Sequence, residues 1–147
     1  MVDIPLKWDI QLLQGFSVCL FKHKRHSKEA PPHYFITIPT KSESYLVMCM
    51  STSKWEEKKS FYEKSNKRCL ASLIFLEKGD VSFVDRKCVL DCNGAIYIHR
   101  NELLNLITPN TFNFISSDIS GALKGMIIKA ILDCPVIKPH VKRSLVN

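Results

Sequence analysis

Hydrophobic and polar positions alternate in short blocks along most of this chain. Residues 8–14, from Trp8 to Gln14, read as a short helix ending at Gly15, a residue type suited to the position after a helix end. Residues 16–21 follow as a strand. Residues 33–38, from His33 to Ile38, form a second strand rich in aromatic and β-branched side chains. Residues 45–50, from Tyr45 to Met50, form a third. The polar link 39–44 is too short for a parallel crossover, so the second and third strands make an antiparallel hairpin. Ala30-Pro31-Pro32 sets the hairpin off from a basic loop, because proline disfavours helix and holds its neighbour extended.

Beyond the hairpin, 51–68 is polar and charged and reads as a long loop. It holds at most a helical turn from Lys54, with Thr52 or Ser53 as N-cap. Residues 69–76 return to strand, and Lys78-Gly79-Asp80 is a turn. Residues 81–84, 87–90 and 95–99 are short strand candidates. Residues 101–107 begin a short helix at a cap-like Asn101, with Pro109 just past its end. Ser116-Ser117-Asp118 are expected to cap the main helix, 119–133. There Ile119, Ala122, Leu123, Met126, Ile127, Ala130 and Ile131 recur at i, i+3, i+4 and i+7. Gly121 and Gly125 weaken this helix intrinsically, and their expected use is close packing on the sheet or a docking face.

The 147 residues fit a single domain: an N-terminal arm or short helix (1–15), a strand-rich body (16–99), a helical part (101–133) and a basic tail (135–147). The expected class is α+β, a strongly bent antiparallel sheet or small barrel packed by a C-terminal helix. Apolar residues at 46% and charged residues at 24% exclude a disordered chain. The net charge of +7 favours polyanionic partners, with a merely solvated basic surface as the competing reading. Cys19 and Cys49 lie inside apolar runs, which marks them as buried thiols rather than disulfide partners. No signal peptide is visible, and no apolar run approaches the ~18 residues of a membrane span, so a reducing cytoplasmic setting and no membrane are expected.

Cys88 and Cys92, Cys19 and His23, and His23 and His26 have loose metal-like spacings, but none forms the paired knuckles of a structural zinc site; no metal and no cofactor are expected. No nucleophile signature surrounds any cysteine. Glycine is too scarce around Lys78-Gly79-Asp80 for a nucleotide cradle. Two basic clusters suit single-stranded RNA: Lys22, Lys24, Arg25 and Lys28 in one, Lys54, Trp55 and Lys58 in the other. Cations neutralise phosphates there, and aromatic faces stack on bases. Cleavage of RNA through its 2′-hydroxyl needs a base, an acid and donors on the phosphate. The hairpin brings His33, at a strand start, to the same edge as Ser51 and Thr52, at its partner's end, with Arg25 or Lys24 close by.

Residues 33–39 and 45–53 resemble the second and third strands of the PemK/MazF-like toxin family. Lys78-Gly79-Asp80 to Phe83 and Cys88-Val89-Leu90-Asp91 are similar to that family's later glycine turn and strand, and 119–145 to its C-terminal helix. The resemblance implies a small SH3-like barrel and a metal-independent endoribonuclease, commonly a homodimer and often neutralised by a cognate antitoxin. It implies chemistry by a basic residue opening the second strand and a Ser or Thr after the third. His33 stands where the family usually has Arg, with Ser51 or Thr52 at the other position, and Arg25 or Lys24 would supply the missing guanidinium-type charge. The alternatives are a catalytically inactive barrel that binds RNA or a protein, and a protein-interaction module docking through its C-terminal helix.

Overall fold

The computed structural model describes residues 6–26 and 28–146, so the first five residues of the predicted arm, Ser27 of the basic loop and the last residue of the tail lie outside the description. In chain order the elements are α1 (Leu6–Gln11), β1 (Ser17–Phe21), β2 (His33–Pro39), β3 (Tyr45–Thr52), α2 (Trp55–Ser65), a 3-10 helix (Lys67–Ser72) and β4 (Leu73–Leu76). Then come β5 (Cys88–His99), α3 (Arg100–Leu106), β6 (Asn113–Ser116), α4 (Gly121–Leu132) and α5 (Pro139–Ser144).

The six strands form one sheet in the order β4-β5-β3-β2-β1-β6, with every neighbouring pair antiparallel. The predicted hairpin is its centre, with Phe35 opposite Met50 and Ile38 opposite Val47. The α+β class and the antiparallel sheet stand as expected. The hydrogen-bonded order runs from β4 to β6 without closing. Register shifts between Met48 and Met50 and between Val18 and Cys19 interrupt the ladders; such irregularities bend and twist a sheet locally.

Alternation along the strands sends side chains to two separate cores. On one face Val18, Ile36, Val47, Cys49 and Leu90 pack with Leu123, Ile127 and Ile131 of α4 and Val141 of α5. On the other, Cys19, Phe21, Phe35, Leu46 and Met48 pack with Ile10, Leu13, Leu103 and Ile107. Helices therefore cover both faces, where the pattern had pointed to a single packing helix at the C-terminal end.

Several boundaries differ from expectation for identifiable reasons. The first helix spans Leu6–Gln11, and Gly15, at φ 62°, serves the turn into β1 instead. Residues 81–84 form a tight turn, closed by the Val84 N–H on the Val81 carbonyl at 2.9 Å, although both valines are buried. The candidates 87–90 and 95–99 are two ends of one long strand, β5, which runs through Asp91, Asn93 and Gly94. Within 51–68 the helix Trp55–Ser65 replaces the expected loop, and the 3-10 helix Lys67–Ser72 takes the first residues of the strand expected at 69–76; α2 buries none of its residues and is N-capped by the backbone of Lys54 without a side-chain cap. α3 is capped by His99, not Asn101, and α4 by Ser120, whose Oγ accepts the Leu123 N–H at 3.1 Å, not by residues 116–118. Part of the basic tail is helical, as α5, with Pro139 in its first turn. Among the described residues no helix is long and apolar enough to cross a membrane.

Gly121 and Gly125 do not serve close packing. A Cβ at either would meet nothing within 4 Å, and α4 packs through Leu123, Ile127, Ala130 and Ile131 instead. Gly125 sits inside the helix at an exposed position. Gly125→Ala is therefore expected to raise stability by about 0.5–1 kcal/mol, since alanine loses less backbone entropy on folding. A rise in the urea midpoint at unchanged slope checks this.

Candidate active site

The hairpin register decides what meets at its open end. Phe35 lies opposite Met50, so the first residues of β2 and the last of β3 share one edge. His33 stands there half-buried, while Ser51 and Thr52 are only 6% and 7% exposed. The Ser51 hydroxyl donates to the Tyr34 carbonyl at 3.1 Å, and the Thr52 hydroxyl oxygen accepts the Lys54 N–H at 3.2 Å. The first bond ties Ser51 to the start of β2, and the second holds the Thr52 hydroxyl at the turn into α2.

His33 and Thr52 form part of the wall between two depressions. The smaller, about 200 Å³, also holds Ser51, Phe83, Asp85 and Arg86. The larger, about 670 Å³, also holds Glu29, Lys54, Lys58 and Phe61. Phe83 stacks on Tyr34 at 4.6 Å and so fixes the turn that carries Arg86. Lys58 is oriented by an ion pair of 3.3 Å with the buried Asp91, which also accepts the Tyr62 hydroxyl at 2.8 Å. Burial and the charge of Asp91 hold the Tyr62 phenol protonated well above its ordinary range.

The electrostatics favour a neutral His33. Partial burial lowers its pKa first, His26 and Lys54 lower it further, and a hydrogen bond to the Pro31 backbone opposes them. A neutral imidazole at neutral pH accepts a proton, which selects base over acid from the two roles open to His33. His33 is also the end of a row. Its ring centroid lies 5.1 Å from that of His26, which lies 5.4 Å from His23. Nδ1 of both His26 and His33 is buried without a hydrogen-bond partner among the described residues. His23 is likewise lowered, by desolvation, then by His26 and Arg25.

The remaining predicted residues are more scattered. Arg25 is exposed and lines neither depression; its backbone N–H donates to His23 Nδ1 at 3.0 Å. Lys24 and Lys28 are exposed in the same loop, and Lys22 Nζ donates to the Lys28 carbonyl. Backbone bonds of 2.8 Å from Lys24 to Leu106 and from Thr108 to Lys22 pin the base of this loop to the end of α3. Lys54 and Lys58 sit at the larger depression, on and beside a helix rather than in the expected loop. Trp55 does not join them. Lys87 Nζ lies 3.9 Å from the centre of its ring, and Phe75 meets it edge-on at 6.1 Å.

Arg86 was not among the expected site residues, and Phe83 and His26 were read in other settings. Val81 and Val84, three apart after a glycine turn, were the available sign that this segment folds back onto the core. The cysteines are all free and buried; burial pushes the Cys19 thiol up to about 12 and raises Cys69 and Cys88, while a bond with Cys92 and then burial raise Cys49, which suits inert core thiols. Among the described residues no three His, Cys, Asp or Glu side chains are disposed to hold a metal ion.

No protein-family model, curated protein or solved structure matches this chain.

Proposed function

We propose that this protein is an RNA-directed, metal-independent endoribonuclease of the PemK/MazF-like toxin type. The supporting observation is the meeting of a neutral imidazole, His33, with two fixed hydroxyls, Ser51 and Thr52, between depressions rimmed by Lys54, Lys58 and Arg86. In this reading a phosphodiester lies across the wall between the depressions. His33 takes the proton of the ribose 2′-hydroxyl, whose oxygen bonds to phosphorus. The bond to the 5′-oxygen breaks, leaving a 2′,3′-cyclic phosphate, and the leaving oxygen takes a proton from solvent. The Thr52 hydroxyl, whose proton is free, donates to the phosphate, the Ser51 oxygen accepts from the 2′-hydroxyl, and the cations stabilise the charge that builds on the phosphate oxygens. Arg86, rather than Arg25 or Lys24, supplies the guanidinium, because it lines the depression and Arg25 does not.

The same proposal takes the bent antiparallel sheet as an opened relative of an SH3-like barrel, and includes a homodimer, a cytoplasmic location and a cognate antitoxin. Incubation of purified protein with a mixed RNA pool in excess chelator tests the activity. Cyclic-phosphate ends are expected, and RNA left intact overturns the reading. One observation favours the alternative of an inactive barrel that binds RNA or a protein: His33 opens β2 where the family it resembles usually has Arg. RNA affinity that falls with salt, without cleavage, selects that alternative.

A further inference from the structure

The row His23–His26–His33 is more than the base requires. Three imidazoles stand at successive spacings of 5.4 Å and 5.1 Å, and two of them keep a buried Nδ1 with no partner among the described residues. A buried nitrogen without a protein partner is costly, and water or a bound group can satisfy it. The surrounding charges say what that is. Lys24 and Arg25 share the loop with Glu29; Lys54, Glu57 and Lys58 face it from the N-terminal end of α2; Asp85 and Arg86 face His33 from the turn before β5. Where the loop is pinned, the paired residues Leu106, Ile107 and Thr108 are uncharged. Cations outnumber acids, so each added imidazolium is opposed until an anion arrives.

We propose that His23, His26 and His33 form one proton-linked phosphate site, in which seating a nucleic-acid phosphodiester against the row draws protons onto the imidazoles. This deepens the RNA reading and rests on it for the identity of the ligand. An anion beside an imidazole favours its charged form, and by linkage protonation favours the anion. In the empty protein the like charges and partial burial hold His23 and His33 neutral, as their lowered pKa values indicate. Binding reverses that balance. The site thus couples RNA capture to acidification, while cleavage needs His33 neutral, so tightest capture falls at lower pH than fastest cleavage.

The probe is a short 2′-O-methyl oligouridylate, which lacks the nucleophile for cleavage and has no group that titrates near neutrality. Its affinity, measured at fixed ionic strength from about pH 8 down to about pH 5.5, is expected to rise about tenfold per pH unit for each proton taken up. Calorimetry in two buffers of different ionisation enthalpy is expected to show net proton uptake. His26→Asn is expected to flatten the rise of affinity on acidification. Binding with a flat pH dependence, or a slope unchanged in His26→Asn, overturns the proposal and leaves the RNA reading standing. No binding at any pH overturns both. If His26→Asn does not fold, the histidine ring-proton titrations of the parent decide by NMR: midpoints raised by the oligonucleotide support the site, and unmoved midpoints overturn it.

Discussion

His33→Gln is expected to lower RNA cleavage by about 10²–10⁴-fold at neutral pH, the range ordinarily lost with a general base. Glutamine keeps a polar side chain of similar reach at the start of β2 but cannot take a proton. The Ser51 and Thr52 bonds to the backbones of Tyr34 and Lys54 do not involve the ring, so the hydroxyls stay in place. Binding of the oligouridylate at alkaline pH is therefore expected within a few-fold of the parent, and the loss falls on the rate of bond breaking. The pH profile adds a sign. Because burial, His26 and Lys54 lower the pKa of His33 in the free protein, the acid limb of kcat/KM, which reports the free enzyme, is expected below the ordinary imidazole value of about 6.5. Stability follows the same sign. A lowered imidazole pKa means that the unfolded chain binds more protons, so this contribution is fully present above about pH 6.5 and is lost as pH falls through the lowered value. His33→Gln should thus lose less stability than the parent on acidification. Unchanged cleavage in the variant removes His33 from the mechanism.

The part of this site carried by the hairpin was legible in the sequence. The run from His33 to Ile38, a short polar link and the run from Tyr45 to Met50 define antiparallel pairing, and pairing alone brings His33 to Ser51 and Thr52. The helix α2 was not legible. It buries no residue, so it leaves no periodic apolar stripe; Trp55 and Phe61 lie among charges and mimic a loop with scattered aromatics. Its anchors, Lys58 and Tyr62, act through Asp91, which is far away in sequence. Asp91, Asn93 and Gly94 also looked like a break between strands. They belong to β5 because Asp91 and Asn93 satisfy one another and their neighbours inside the protein. Arg86 was hidden for a related reason, since a turn reaches the site only through the packing of Val81, Phe83 and Val84, which propensity does not reveal.

Asp91→Ala is expected to cost about 3 kcal/mol of stability, the low end of the range for stranding one partner of a buried ion pair. The carboxylate is 4% exposed and is the centre of a dense set of donors. The Tyr62 hydroxyl donates at 2.8 Å, the Asn93 N–H at 3.0 Å and the Asn93 Nδ2 at 3.1 Å, while Lys58 Nζ lies at 3.3 Å. Lys58 is 35% exposed and can turn to water, which is why the low end applies. Asn93 Nδ2 keeps the Cys69 carbonyl at 2.9 Å, but its backbone N–H and the Tyr62 hydroxyl lose the acceptor shown here. Tyr62→Phe removes one bond to a charged acceptor and should cost about 1.5–3 kcal/mol. The functional consequence is larger than any one contact. Because α2 has no buried residue of its own, freeing Lys58 and Tyr62 from Asp91 loosens the helix that presents Lys58 and Phe61 to the larger depression. Faster amide exchange confined to α2, together with weaker oligouridylate binding at temperatures where the sheet is still intact, is the expected pattern in Asp91→Ala. A loss of stability below about 1 kcal/mol, with α2 protection unchanged, would mean that the helix is held by something other than this carboxylate.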